Sequence, residues 1–173
     1  MNNWFFIYGP VKGGKTSKLI DFINYSTEKN YVVINHENDT RYGENMVISH
    51  SKKIISALPF NDKKLELFIV TTTAKVLFID EIQFFSESII TALKLFSGKI
   101  YFSGLDIDYK GQYFPISLKL KQLIPIGNLI HCQGICSCGN LALYSKLITS
   151  AKPNENSILV STSDFEQKCK LCF

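Results

Sequence analysis

The segment Gly9-Pro10-Val11-Lys12-Gly13-Gly14-Lys15-Thr16 fits G-x-x-x-x-G-K-[ST], and its flanks restrict what the chain can fold into. The apolar run Trp4-Phe5-Phe6-Ile7-Tyr8 precedes it, and Ser17-Lys18-Leu19-Ile20-Asp21-Phe22-Ile23, with helical apolar spacing, follows. A strand that enters a glycine-rich turn and leaves as a helix forms a phosphate cradle. Backbone N–H groups turn inward around anionic oxygens, and the helix N-terminus adds partial positive charge. The expected nucleotide-binding set is Gly9, Pro10, Val11, Lys12, Gly13, Gly14, Lys15 and Thr16. Lys15 is expected to reach the β- and γ-phosphates of ATP, and the Thr16 hydroxyl to help hold Mg²⁺.

At 173 residues the chain is one ordinary domain with room for a small appendage, and 46% hydrophobic residues are enough to bury a core. A formal net charge of +4 suits an anionic small molecule. The basic residues are scattered, with no aromatic–basic alternation, so no nucleic-acid partner is expected. No apolar run approaches the length of a membrane span, and Met1-Asn2-Asn3 lacks the basic residues that open a signal peptide. Five cysteines, an odd number gathered after residue 130, do not read as a secreted disulfide framework. A reducing, cytoplasmic setting is the expectation.

Further short apolar runs follow: Tyr31–Asn35, Leu67–Thr71, Val76–Asp80 and Lys99–Gly104. A helix is expected over Ser86–Phe96, with Ile89, Ile90, Leu93 and Phe96 on one face. Near-continuous apolar strands separated by helical segments predict an α/β fold, a P-loop NTPase-type parallel sheet with helices on both faces. After Pro125 the chain becomes turn-rich and cysteine-bearing, which divides it into 1–128 and a small C-terminal zinc-binding lobe, 129–173.

Val76-Leu77-Phe78-Ile79-Asp80-Glu81 is an apolar strand ending in two carboxylates. Ligands gather at the carboxyl ends of parallel strands, so Asp80 is expected beside the P-loop, holding Mg²⁺. Glu81 then projects toward the second substrate and can accept a proton from an attacking hydroxyl. Cys169-Lys170-Leu171-Cys172 and Cys136-Ser137-Cys138-Gly139 supply four thiolates for a tetrahedral structural Zn²⁺. The first pair is one residue shorter than Cys-x-x-Cys, and Cys132 is an alternative to either of its members.

Several strings together resemble the thymidine kinases of the cellular and poxviral, zinc-containing type. They are the Gly9-Pro10 opening, Asp39-Thr40-Arg41-Tyr42 with Ser49-His50, Asp80-Glu81-Ile82-Gln83-Phe84-Phe85, Gly104-Leu105-Asp106-Ile107-Asp108-Tyr109 with Phe114, and the two cysteine pairs. Their order and spacing hold from about Phe5 to Cys172. The resemblance implies transfer of the γ-phosphate of ATP to the 5′-hydroxyl of thymidine, with Glu81 as general base. It puts Lys15, Thr16 and Asp80 on ATP and Mg²⁺, counts Gln83 with the nucleotide-binding residues, and brings Arg41 near the phosphates. The catalytic set it implies is Glu81, Lys15 and Arg41. Phe84, Leu105 and Tyr109, with Phe114, are the candidates for the wall against the nucleobase, and Val11 for its floor. A closing loop over the base falls on 159–165, with Leu159, Val160, Ser161 and Phe165 as its contacts. A homotetramer and feedback inhibition by thymidine triphosphate are also implied.

The chain departs from that family's usual pattern at Val160-Ser161, where Gly-Gly is usual, at Phe165, where tyrosine is usual, and at Val11-Lys12. These positions bear on the base rather than on phosphoryl transfer, so a kinase of altered deoxynucleoside specificity stays open. A P-loop ATPase, or a nucleotide-binding protein without catalysis, that uses its cysteine lobe for a partner or nucleic acid is the other reading, whereas a guanine-reading Asn-Lys-x-Asp string is absent.

Overall fold

A computed structural model describes residues 3–39, 46–48, 54–148 and 164–173. Strand β1 (Trp4–Tyr8) runs into the glycine-rich turn, and helix α1 (Lys15–Asn24) leaves it. Then come β2 (Tyr31–His36), the antiparallel pair β3 (Met46–Ile48) and β4 (Ile54–Ser56), and β5 (Leu58–Phe60). Helix α2 (Asp62–Thr71), β6 (Val76–Ile79), helix α3 (Ile89–Leu93), β7 (Lys99–Gly104) and helix α4 (Pro115–Leu123) complete the layered part. Strand β8 (Leu129–His131) follows, and then the short strands β9 (Gly134–Ile135), β10 (Leu141–Ala142), β11 (Tyr144–Leu147) and β12 (Phe165–Lys168).

Six strands form one sheet in the order β5-β2-β6-β7-β1-β8, every neighbouring pair parallel. Alternation along each strand feeds two cores. Val76 and Phe78 of β6 face α1 with Ile7, Val33, Leu19, Ile20 and Ile23. Leu77 and Ile79 face the other way, with Phe6, Phe102, Leu65, Ile89, Leu93, Ile116 and Leu120 from the remaining helices. Phe6, Phe78 and Phe102 are fully buried, each stabilising by about 1.5–3 kcal/mol relative to exposure. Helices on both faces of a parallel sheet are what the sequence predicted.

Three expectations are corrected. Leu67–Thr71 is not extended but the second half of α2: Leu65 and Ile69 are buried one turn apart, while Leu67 and Val70 point outward. The Asn61 side chain accepts from the Lys64 N–H at 2.9 Å and caps that helix. The helix expected over Ser86–Phe96 is only five residues, Ile89–Leu93, with looser turns at Lys94 to Phe96. Leu129–His131, expected to open the lobe, instead pairs with Phe6–Tyr8 as the edge strand of the sheet.

Candidate active site

The P-loop is shaped by its own glycines and by the strand beside it. Gly9, at φ 146°, lies so close to the Cys132 carbonyl that a Cβ would overlap it. A Cβ on Gly13 would lie 2.8 Å from the Pro10 oxygen. Gly14 takes the left-handed conformation at φ 86° and starts α1. The Gly13 N–H and the buried Lys15 ammonium both donate to the Pro10 carbonyl, at 3.0 and 2.8 Å. Thr16 is half-buried in the first turn of α1.

Asp80 follows β6 directly, with its N–H donating to the Ile34 oxygen at 2.9 Å, and alternation carries its side chain to the α1 face. The P-loop strand is not the immediate neighbour of β6, because β7 lies between them. The Ser103 hydroxyl of β7 is fully buried and has no hydrogen-bond partner among the described residues. The hydroxyls of Thr16 and Ser103 and the Asp80 carboxylate are oxygen donors at the carboxyl edge of the sheet, the donor type a hard divalent cation takes.

Glu81 is buried and sits in the left-handed region at φ 52°, ψ 44°, a conformation that costs about 1–3 kcal/mol for a residue with a side chain. The following 3₁₀ turn, Ile82–Phe84, enforces it through the Phe84 N–H to Glu81 oxygen bond at 3.1 Å. The Gln83 amide N–H donates to the Glu81 carboxylate, and its Oε1 accepts from the Leu105 N–H at 2.9 Å. That second bond fixes which end of the amide faces Glu81. Gly104 makes the arrangement possible, because a Cβ there would overlap Gln83 Oε1 and press on Ile82.

The sulfur atoms of Cys136, Cys138, Cys169 and Cys172 all lie within 4.8 Å of one another, and Cys138 Sγ is 3.6 Å from Cys169 Sγ. Tetrahedral thiolates around zinc at ~2.3 Å would be spaced about 3.8 Å apart, so the cluster fits such an ion. Backbone N–H groups of Cys138 and Cys169 lower the Cys136 thiol to about 6, whereas hydrogen bonding with the other three sulfurs pushes Cys172 up to about 12. The short Cys-x-Cys turn, closed by Gly139 at φ 88°, therefore still brings both sulfurs in. Cys132 stays apart, packed on the α1 face, and burial raises its thiol.

A family model described as thymidine kinase matches residues 3–173. The chain belongs to the thymidine kinase family. The thymidine kinase of Mesoplasma florum is 30% identical over 183 residues, covering 96% of this chain and 89% of that protein. Those of Thermococcus kodakarensis and Coprothermobacter proteolyticus are each 31% identical, over 189 and 175 residues, and cover 95% of this chain. They are themselves covered over 90% and 87% of their lengths.

Among the residues the thymidine kinase resemblance assigned to the nucleoside, Tyr109 and Phe165 come together, with ring centroids 6.4 Å apart. Leu105 is tied through its N–H to Gln83 and through its oxygen to the Ser117 hydroxyl at 2.6 Å. Phe84 is half-buried, edge-on to His36 at 5.9 Å, and Phe114 precedes α4, with its N–H donating to the Asp106 oxygen. Arg41, with Thr40, Tyr42, Ser49 and His50, lies outside the described residues, as do Leu159, Val160 and Ser161.

The sequence reading missed Ser145 and Gln167. The Val11 N–H donates to Ser145 Oγ at 2.8 Å, and Gln167 Nε2 donates to the Val11 oxygen at 2.9 Å. The Lys12 ammonium, expected among the phosphates, donates to the Phe165 oxygen at 2.9 Å. No local signal marks such residues, because each lies more than 130 positions from its partner.

Proposed function

We propose that this chain transfers the γ-phosphate of ATP to the 5′-hydroxyl of thymidine. The observation that carries the reading is a buried carboxylate, Glu81, oriented by Gln83 on the same sheet edge that bears a complete P-loop. Family membership over residues 3–173 supports thymidine as the acceptor.

In this mechanism the 5′-oxygen attacks the γ-phosphorus, the bond to the ADP oxygen breaks, and the hydroxyl proton passes to the Glu81 carboxylate. Gln83 aims that carboxylate, and Lys15 turns from Pro10 toward the β- and γ-phosphates. Thr16 and Asp80 would hold Mg²⁺, which would supply positive charge against that developing on the transferring group. Arg41 is the proposed further cation at the phosphates. Tyr109 and Phe165, with Leu105, offer the apolar wall for the base. Zn²⁺ is the proposed occupant of the four-cysteine cluster, in a structural role. A homotetramer is the proposed assembly, which sedimentation would check.

The test is product identity. With ATP, Mg²⁺ and thymidine, thymidine 5′-monophosphate and ADP are expected in equal amounts. ADP formed with free phosphate, and no thymidine monophosphate, would contradict the reading.

A further inference from the structure

We propose that the hairpin β11–β12 braces the P-loop, so that metal in the four-cysteine cluster and nucleotide on the P-loop strengthen each other's binding. The inference rests on the nucleotide site proposed above.

Val11 and Lys12 form the crest of the P-loop, and Lys12 holds φ 61°, a left-handed conformation that a lysine seldom adopts unaided. Three bonds from the hairpin hold this crest. Ser145 of β11 accepts the Val11 N–H at 2.8 Å, Gln167 of β12 donates to the Val11 oxygen at 2.9 Å, and the Phe165 carbonyl of β12 accepts the Lys12 ammonium at 2.9 Å. Both backbone polar groups of Val11 are thus satisfied from outside the loop. Ser145 is 4% exposed, so its bond is shielded from water.

Gln167 is held in turn. Its Oε1 accepts from the Ile135 N–H of β9 at 3.3 Å, and it fills a slot at Gly134 that any Cβ would occlude. The next residue after Ile135 is Cys136, and Cys169 is two residues beyond Gln167. The two strands that fix Gln167 are therefore the strands that deliver one sulfur from each cysteine pair. Drawing the four sulfurs around an ion fixes β9 against β12, which sets Gln167, which sets the loop crest. Linkage requires the reverse effect to be equal: nucleotide that selects this crest also selects the closed cysteine cluster.

The experiment compares full-length protein loaded with zinc and stripped by a chelator, using a fluorescent ADP analogue with Mg²⁺. Stripping should weaken ADP binding at least about fivefold, the low end of ordinary coupling between sites. In zinc-loaded Gln167→Ala, affinity should fall toward the stripped value. Saturating ADP should slow zinc release to a chromogenic chelator in the wild type but not in Gln167→Ala. Glu166→Ala, on the exposed side of the same strand, should keep the coupling.

Equal ADP affinity with and without zinc in folded protein would overturn the brace. If stripping unfolds the chain, wild-type ADP affinity in zinc-loaded Gln167→Ala would overturn it alone. A zinc-loaded wild type that binds no ADP would overturn the nucleotide site, and the brace with it.

Discussion

In the proposed mechanism the proton transfer falls on one strained residue, Glu81. Its left-handed backbone turns the carboxylate out of the strand direction just after Asp80, and in the proposed mechanism the two adjacent acids serve different ends of the reaction. Gln83 keeps the carboxylate there, and Gly104 leaves room for Gln83. Glu81→Gln keeps the shape but cannot take a proton, and should lower kcat by about 10²–10⁴-fold with little change in nucleotide binding. Gln83→Leu removes the aim but not the base, and should cost roughly 10²-fold in kcat, the usual penalty for about 1 Å of misplacement. Steady-state kinetics on both variants separates the two roles. The pair Asp80-Glu81 was legible because a strand of four buried apolar residues ends at it. The tie from Gln83 to Leu105 was not, since it depends on which strand lies next to β6.

At the scale of elements, strands were legible where they are buried on both faces, as in β1, β2, β6 and β7. The run Leu67–Thr71 misled because Leu67 and Val70 are apolar yet 68% and 62% exposed, which erases the amphipathic signature and leaves a β-like string. Asn61, the cap, was the better signal. Asn61→Ala should destabilise by about 1 kcal/mol and lower Tm by roughly 2–4 °C, as thermal unfolding would report. β8 escaped recognition for a different reason. Three residues carry too little pattern, and its place is set by the Cys132 N–H to Tyr8 oxygen bond at 2.7 Å and by His131 stacking on Tyr8 at 4.7 Å.

Across the whole molecule, the P-loop and the two acids lie at the carboxyl ends of the sheet's strands, the cysteine lobe reaches the P-loop through Ser145, Phe165 and Gln167, and none of the described helices is long and apolar enough to cross a membrane. Stability of the assembled fold should also depend on pH through His36. Burial lowers its pKa below 6.5, against the opposing pull of Asp62, Glu37 and Asp39, and its Nδ1 accepts the Asn38 N–H at 3.1 Å. The folded state thus prefers the neutral ring. Its contribution is complete above about 6.5 and is lost as pH falls from there through the lowered folded value. Tm should decline over that window, and His36→Phe should flatten the decline. The order of motifs along the chain made the kinase fold legible from end to end, whereas the contacts that join lobe to P-loop are long-range and arise only once the chain is folded.

The most direct measurement is transfer of label from γ-labelled ATP with Mg²⁺, comparing thymidine, deoxyuridine, deoxycytidine and no nucleoside, in wild type and Glu81→Gln side by side. A thymidine kinase acting through Glu81 should label thymidine in the wild type, release little phosphate without nucleoside, and lose the transfer in Glu81→Gln. Phosphate released equally with and without nucleoside, or transfer to thymidine undiminished in Glu81→Gln, would contradict it.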